Sequence, residues 1–196
     1  MESVCALLQE AKRYNGPVVV HFKTIKGKGY HPSETCPWNY HSVSPFDPVF
    51  GVKTGASPSF SSELGHVLCG LALTDSRICA VTAAMEDGTG LGEFSLRFPS
   101  RFFDVGIAEG HAVAMSSGLV SQGARPVFAV YSSFLQRGYD QLIHDVAIAG
   151  SHVVFAVDRA GLVGADGETH QGMFDVPYLL SVPGIKLYSP SSFAEL

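Results

Sequence analysis

Short apolar runs alternate with helix-forming segments over the last two thirds of this chain of 196 residues. The apolar runs with the length of buried strands are 78–82, 102–105, 126–131, 152–157 and 185–188. The segments with helical spacing of apolar side chains are 62–73, 108–122, 134–149 and 176–180. Strands that alternate with helices through short loops form a parallel sheet covered by helices. The sequence therefore predicts an α/β fold with a doubly wound parallel sheet.

The first third of the chain is less regular. Residues 4–11 carry apolar side chains at helical spacing, and Val18–Phe22 has the apolar character of a buried strand. From His31 to Ser59 five prolines interrupt all periodicity, as is typical of an inter-domain connection. Because one helix and one strand cannot bury a core by themselves, this part is expected to belong to a larger domain.

Composition and charge exclude several classes of function. The formal net charge is −5, so no basic surface is available for nucleic acid. No window approaches the ~20 apolar residues of a membrane span, and the N-terminus has no export signal. The four cysteines show no CxxC pair and no zinc spacing. A cytoplasmic protein without nucleic-acid or membrane partners is expected.

A long polar stretch follows directly after the apolar run at 152–157. Residues 158–172 read DRAGLVGADGETHQG and contain four glycines, which let the backbone approach a ligand closely. Open α/β sheets bind ligands beyond the carboxyl ends of their strands. Arg159, Asp166 and His170 offer a phosphate clamp, a hydrogen-bond acceptor and a group that titrates near neutrality. The alternative is a surface turn that merely tolerates polar residues.

Polar and aromatic groups also follow the neighbouring strands. Glu109 lies where a short apolar run gives way to a helix, and taken by itself this position favours a carboxylate that only stabilises the first helical turn. Tyr131, Phe134 and Arg137 follow the next strand and could hold a flat heterocycle and an anion. The alternative for Phe134 is the core, and for Arg137 a solvated helix surface.

A metal site is not predicted from the sequence. Asp166, Glu168 and His170 carry atoms that metals accept, but no second cluster completes a coordination set. His144 and Asp145 are more typical of a helix surface or of packing than of a metal pair.

Six segments form longer motifs. They are KGKGY at 26–30, YHSVSPFDP at 40–48, TAAMEDGTGL at 82–91, RFFDVGIAE at 101–109, YSSFLQRGYDQLIHDV at 131–146 and DRAGLVGADGETHQG at 158–172. Together they resemble the 1-deoxy-D-xylulose-5-phosphate synthases, thiamine-diphosphate enzymes related to transketolase. The likeness runs over nearly the whole chain. Transketolases proper share the D-G-x-T-H core of the last motif but not the DRAGLVGA stretch before it.

The resemblance implies a thiamine-diphosphate-binding fold. Residues 1–51 then correspond to the C-terminal remnant of the diphosphate-binding domain and the start of a linker. Residues 52–60 correspond to the linker, and residues 61–196 to the pyrimidine-binding domain, truncated at its C-terminus. The implied reaction condenses pyruvate with glyceraldehyde 3-phosphate and releases carbon dioxide. Its product feeds isoprenoid, thiamine and pyridoxal pathways, and the complete enzyme is expected to be a homodimer.

The resemblance also implies residues that hold the cofactor. Glu109 occupies the place of the family's invariant glutamate, whose carboxyl group hydrogen-bonds a pyrimidine nitrogen of the cofactor and so activates the thiazolium carbon. A carboxyl group in a dry pocket suits this proton exchange, and the cofactor itself supplies the carbon chemistry. Phe134 corresponds to the ring that stacks on the pyrimidine, and Tyr131 lines the pocket.

A second set of residues is implied for the substrates. Arg159 and Tyr131 correspond to the site for glyceraldehyde 3-phosphate, and His41 to a histidine contributed from the linker side. The residues expected to bind substrate are Tyr131, Arg137, Arg159, Asp166 and His170. The residues expected to be catalytic are Glu109, His170 and His41.

The chain departs from the family pattern in two places. Gly110 stands beside Glu109 where the family has glutamine, and glycine costs about 1 kcal/mol relative to a good helix former. The Gly-Asp-Gly motif that binds the diphosphate and Mg²⁺ is absent, as is the third domain of the family. Thiamine diphosphate and Mg²⁺ are therefore the implied cofactors, but this chain lacks the Mg²⁺-binding motif and is expected to be inactive alone.

Several functional interpretations remain open at this point. The chain is either a piece of the synthase, with the missing domains absent or supplied by a separate chain, or a non-catalytic remnant that packs against a partner. A transketolase-like enzyme with another acceptor is the further alternative.

Overall fold

The computed structural model describes residues 2–41, 43, 45–52 and 58–196. The chain forms two compact units, residues 1–56 and residues 57–196. The predicted linker at 52–60 includes residues 53–57, which lie outside the described residues. The domain bounds given above from the resemblance stay predictions.

Helices and strands occupy most of the second unit and little of the first. The α-helices are α1 (Glu2–Ala11), α2 (His31–Thr35), α3 (Phe60–Thr74), α4 (Gly92–Arg97), α5 (Glu109–Ser121), α6 (Ser132–Leu135), α7 (Tyr139–Gln141) and α8 (Asp175–Leu180). The strands are β1 (Ile78–Thr82), β2 (Phe102–Asp104), β3 (Arg125–Tyr131) and β4 (Val154–Asp158). Shorter 3₁₀ turns are Pro37–Tyr40, Pro99–Arg101, Gln136–Gly138, Gly164–Asp166 and Glu168–His170, and a π-helical turn spans Leu142–Ile148.

The first unit contains the predicted opening helix and two short helices that the sequence did not predict. The predicted strand Val18–Phe22 is wrong: it forms no strand, and Val19 is 95% exposed. A strand needs a neighbouring backbone to complete its hydrogen bonds, and the described residues of this unit provide none. The helix α2 and the turn Pro37–Tyr40 lie in the predicted irregular connection, each with proline in its first turn, where a missing N–H costs nothing.

The second unit is built on a four-stranded parallel sheet in the order β2-β1-β3-β4. Helices cover both faces, so the predicted doubly wound α/β fold is confirmed. Side chains of alternate strand residues point to opposite faces. Val81, Phe128 and Val130 pack with α5 on one face, and Ala80 and Ala129 pack with α3 and α4 on the other.

The core of this unit lies in these two layers. Phe94 and Phe128, one in each layer, are fully buried, and burying such a side chain stabilises the fold by about 1.5–3 kcal/mol. None of the helices formed by the described residues has the length and apolar character that a membrane crossing needs.

One predicted strand of the second unit is wrong. Residues 185–188 form no strand, and among the described residues β4 at the sheet edge pairs with β3 alone. The segment 134–149 is helical as predicted, from Ser132 to Ile148, but it changes between α, 3₁₀ and π turns. A Cβ atom at Gly138 would lie 2.8 Å from Val113 Cγ2. This close approach to α5 accompanies the change of helix type at Gly138, where glycine relaxes the helical geometry.

A glycine contact inside the second unit gives a stability prediction. A Cβ atom at Gly65 in α3 would lie 1.9 Å from the carbonyl oxygen of Gly90. The change Gly65→Ala therefore forces two backbones apart, and we expect it to lower the free energy of unfolding by about 1–3 kcal/mol. Urea unfolding followed by circular dichroism measures the difference.

Gly70 is the matched control because it lies in the same helix, is exposed and has open space around its Cα. Gly70→Ala is expected to raise the free energy of unfolding by about 0.4–1 kcal/mol. Equal effects of the two substitutions would contradict the packing argument.

Candidate functional site

The candidate site lies at the carboxyl ends of the strands. The chain leaves β1 toward β2 and returns past β1 to β3, so the order of the sheet reverses between β1 and β3. Ligands of open α/β sheets bind at such a switch point. Ala84 and Arg159, just beyond β1 and β4, are the two non-glycine residues of the described chain with left-handed backbone, at φ of 60° and 54°. Such strain concentrates at functional sites.

Glu109 begins α5, and its side chain is buried. Its side-chain exposure is 3%, and Oε1 accepts a hydrogen bond of 2.9 Å from Arg137 Nη1. Arg137 lies in the 3₁₀ turn after α6 and is more than half exposed. The guanidinium therefore reaches the carboxylate from the solvent side. A buried carboxylate needs such a partner, because an unpaired charge is costly to bury.

Two aromatic rings after β3 form a platform beside this ion pair. The rings of Tyr131 and Phe134 are stacked, with centroids 5.7 Å apart and an interplanar angle of 19°. The guanidinium carbon of Arg159 lies 3.9 Å from the centroid of Tyr131, and that of Arg137 lies 5.2 Å from the centroid of Phe134. The ring of His170 meets Phe134 nearly at a right angle, with centroids 5.1 Å apart. Flat rings next to cations suit an aromatic, charged ligand.

Arg159 connects segments at the carboxyl ends of three strands. Its Nη1 donates to the carbonyl oxygen of Gly88 at 3.0 Å and to Asp158 Oδ2 at 2.9 Å. Its Nε lies 3.1 Å from Asp166 Oδ2, a buried oxygen that this ion pair reaches without a well-formed hydrogen bond. With its stacking on Tyr131, Arg159 joins the loops after β1 and β4 to the carboxyl end of β3.

Asp158 at the end of β4 is a residue that the sequence analysis did not single out. Its Oδ1 accepts from the backbone N–H of Arg159 at 2.7 Å, and its Oδ2 accepts from Ser61 Oγ at 2.6 Å as well as from Arg159. Ser61 lies in the first turn of α3, 97 residues away along the chain. No local pattern links residues so distant, so only the folded chain reveals this contact.

The hydroxyl group of Tyr131 is held in its protonated form. Burial raises the pKa of Tyr131, the charge of Arg159 opposes that rise, and the nearby carboxylates of Asp158 and Asp166 add to it. The hydroxyl group can therefore donate a hydrogen bond to a ligand near neutral pH. A Cβ atom at Gly88 would lie 1.8 Å from this hydroxyl oxygen, so any larger residue there would displace the ring of Tyr131.

The polar loop at 159–172 is closed at its base. Gly161 and Gly172 exchange two backbone hydrogen bonds of 2.9 and 2.8 Å. The side chain of Gln171 binds the loop from inside, through the backbone N–H and carbonyl of Val163. His170 Nδ1 lies 2.7 Å from Thr169 Oγ1. The loop is thus held in one shape by hydrogen bonds among its own backbone and side chains.

The structure brings most of the predicted site residues together. Those that form one connected group in the second unit are Glu109, Tyr131, Phe134, Arg137, Arg159, Asp166 and His170. His41 belongs to the first unit, where it contacts Lys26 Nζ. The individual roles of all eight residues stay predictions.

Gly110, the departure from the family pattern, lies in the first turn of α5. A Cβ atom there would lie 3.0 Å from Gln141 Oε1, a buried atom without a hydrogen-bond partner in the described residues. The space beside the glutamate is therefore filled by the neighbouring side chain.

The described residues contain no group of three or more His, Cys, Asp or Glu side chains that could hold a metal ion.

The fold and this polar sheet edge define a domain of the transketolase type. A solved split-gene transketolase, titled an inactive β4 tetramer, superposes with a TM-score of 0.60 at 25% identity, over 68% of this chain and 43% of that one. Transketolase from Leishmania mexicana gives a TM-score of 0.57 at 21% identity, over 68% and 22% of the two chains, and shows the fold alone. Residues 56–196 match the family "Transketolase, pyrimidine binding domain", and the chain belongs to that family.

Similarity to curated proteins extends over nearly the whole chain. The 1-deoxy-D-xylulose-5-phosphate synthase of Desulforudis audaxviator is 55% identical over 190 residues, which are 96% of this chain and 30% of that protein. The synthase of Clostridium acetobutylicum is 50% identical over 197 residues, 100% of this chain and 32% of that protein. The resemblance predicted from the motifs is confirmed. The chain spans about a third of the length of these relatives.

The electrostatics of Tyr131 give a testable prediction. The change Arg159→Met removes the positive charge that opposes the raised pKa and leaves the carboxylates of Asp158 and Asp166 in place. We expect the pKa of Tyr131 to rise further. The ¹³Cζ shifts of labelled tyrosines, followed against pH, measure the change, and Tyr131→Phe assigns the signal.

Arg137→Met is the matched control, because that guanidinium lies over Phe134 and not over Tyr131. It should leave the titration of Tyr131 nearly unchanged. A lower or unchanged pKa of Tyr131 in the Arg159 variant would show that the guanidinium does not act on this ring.

Proposed function

We propose that this chain supplies the pyrimidine-binding part of a 1-deoxy-D-xylulose-5-phosphate synthase, which condenses pyruvate with glyceraldehyde 3-phosphate and releases carbon dioxide. The observation that carries the proposal is the buried carboxylate of Glu109 at the start of α5, which shares Arg137 with the aromatic platform. The identity of about 50% to named synthases over nearly the whole chain supports the choice of reaction. The proposal extends to a cytoplasmic location and to the supply of isoprenoid, thiamine and pyridoxal pathways.

The residues present fit the aminopyrimidine end of thiamine diphosphate. When bound, this cofactor supplies the nucleophilic carbon and the electron sink of the reaction. Glu109 Oε1 and Oε2 are acceptors on a side chain that is only 3% exposed, and a carboxyl group can exchange a proton with a ring nitrogen. Phe134 offers a flat apolar ring for stacking. Because Arg137 now binds Glu109 and covers Phe134, its side chain must move or share these groups when the cofactor enters.

The remaining residues fit a phosphorylated acceptor and a keto acid. Arg159 uses Nη1 and Nε in its contacts with the described residues, which leaves Nη2 for a phosphate oxygen. The Tyr131 hydroxyl group can donate to the same ligand. His170 carries ring nitrogens that can donate or accept a hydrogen bond, and Asp166 carries a buried oxygen that can accept one. His41 and Arg137 complete the proposed set.

The diphosphate and Mg²⁺ do not find a matching site in the described residues. Those residues offer neither a three-ligand metal cluster nor the Gly-Asp-Gly motif. Charge-assisted contacts to a diphosphate and its metal are among the strongest that such a cofactor makes. We therefore propose that the rest of the enzyme, as a continuous or a separate chain, provides them, and that the complete enzyme is a homodimer. The solved structure titled a split-gene transketolase supports only the option of a separate chain, and its own title describes an inactive β4 tetramer.

A chimera tests the proposed reaction most directly. The matching segment of the Desulforudis audaxviator synthase, 55% identical, is replaced by this chain. We expect release of carbon dioxide from pyruvate that depends on glyceraldehyde 3-phosphate and thiamine diphosphate. A folded chimera that binds the cofactor but uses only ketose phosphates would favour the transketolase-like alternative, and one that is inert with both would favour the remnant.

Glu109→Gln in this chimera tests the assigned acid. The amide keeps the shape and a hydrogen bond but cannot exchange the proton, so we expect kcat to fall by about 10²–10⁴-fold. Carbon dioxide release is measured at saturating cofactor. Glu93→Gln is the matched control, because Glu93 also lies in a first helical turn but is half exposed and pairs with Arg97. A fall of kcat of the same size in both variants would contradict a specific role of Glu109 in proton exchange.

The chain alone should bind thiamine diphosphate weakly. Isothermal titration with the cofactor and Mg²⁺ is expected to give a Kd above the micromolar range, because the diphosphate lacks its anchor. Sub-micromolar binding by the isolated chain would contradict the proposal that the rest of the enzyme binds the diphosphate and Mg²⁺.

A further inference from the structure

A buried hydrogen bond joins the aromatic platform to α8. Ser132 Oγ donates to Asp175 Oδ2 at 2.9 Å, and the exposures of the two residues are 0% and 5%. The second oxygen of the carboxylate, Oδ1, accepts from the backbone N–H of Val176 at 2.7 Å. Both carboxylate oxygens are thus satisfied, as buried polar groups require. Neither residue is among those assigned above to cofactor or substrate.

The same serine contacts the end of the polar loop. A Cβ atom at Gly172 would lie 2.6 Å from Ser132 Oγ and 2.5 Å from the carbonyl oxygen of Arg159. Only glycine fits there without a shift of the neighbouring atoms. Ser132 therefore lies between two elements at once, the base of the loop on one side and the start of α8 on the other.

The positions of these residues along the chain relate them to the site. Ser132 directly follows Tyr131 and precedes Phe134 by two residues, and Gly172 follows His170 by two residues. The contacts of Ser132 thus fix the backbone on both sides of the pair formed by Phe134 and His170, whose ring centroids are 5.1 Å apart. A shift of Ser132 away from Asp175 or Gly172 would be transmitted over two residues to each ring.

We propose that Ser132 and Asp175 are positioning residues that hold the ring of Phe134 at its distance from the ring of His170. The significance of this distance rests on the proposed function, in which one ring stacks on the cofactor and the other serves the substrate. The distance between the two rings itself is set by residues of this chain. It can therefore be tested without cofactor, substrate or the rest of the enzyme.

The test observes the contact between the two rings by NMR. In the wild-type chain, labelled at Phe and His, we expect a nuclear Overhauser effect between the imidazole protons of His170 and the ring protons of Phe134. Ser132→Ala and Asp175→Ala should each abolish it. Asp175→Asn should keep it, because the asparagine oxygen can accept from Val176 N–H while its amide donates to the serine hydroxyl group.

A second ring pair reports whether the variants remain folded. Phe94 and Phe98 also have centroids 5.1 Å apart and lie in the opposite layer of the core. Their Overhauser effect should persist in every variant. Loss of the contact between Phe134 and His170 with this control retained supports the proposal, and retention of that contact in both alanine variants overturns it.

If Ser132→Ala or Asp175→Ala unfolds and loses both signals, Gly172→Ala provides the test. Its new methyl group would press on Ser132 without removing a hydrogen-bonding group, so the ring contact should be lost while the Phe94–Phe98 signal stays. An unchanged ring contact in Gly172→Ala would overturn the proposal. Because no cofactor is used, failure of the proposed synthase activity in the chimera would leave these results unaffected.

Discussion

The guanidinium group of Arg159 is the interaction on which the candidate site depends. It contacts the carbonyl oxygen of Gly88, the carboxylates of Asp158 and Asp166, and the ring of Tyr131. These partners come from the loops after β1 and β4 and from the last residues of β3 and β4, which the parallel sheet brings to one edge. The left-handed backbone of Arg159 is strained, and several charged contacts offset that strain. A lysine could not make the same set, because it lacks the planar fork of donors.

At the other end of the aromatic platform, Glu109 is likewise held by the guanidinium group of an arginine. Its carboxylate is buried at a helix N-terminus and pairs with Arg137, which also covers Phe134. The two groups expected to receive an aminopyrimidine are therefore both in contact with one arginine in the chain as it stands. A ligand that binds there must compensate for the contacts that it replaces, and part of its binding energy is used in that exchange. The site is preorganised in its backbone and adjustable in this one side chain.

Several elements could be predicted from the sequence because their signals are local. The strand Ile78–Thr82 was predicted at its observed bounds, and the helix beginning at Glu109 was predicted within one residue, since apolar periodicity is set by neighbouring residues. The strands predicted at Val18–Phe22 and 185–188 are wrong because strand formation also depends on residues that are distant along the chain. An apolar run becomes a strand only if another backbone pairs with it, and that condition is not encoded in the run itself. The change of helix type at Gly138 likewise lies beside a residue distant along the chain, Val113 of α5.

The sequence by itself determined the fold class, the family and the residue types that gather at the sheet edge, because strand–helix alternation and motif spacing are properties of the linear chain. Only the tertiary structure decided which of those residues touch. The bonds from Ser61 to Asp158 and from Ser132 to Asp175 join residues 97 and 43 positions apart. The pairing of Arg137 with Glu109 spans 28 positions. Such contacts depend on how helices pack on the sheet, and the free energy of that packing is shared by many side chains at once.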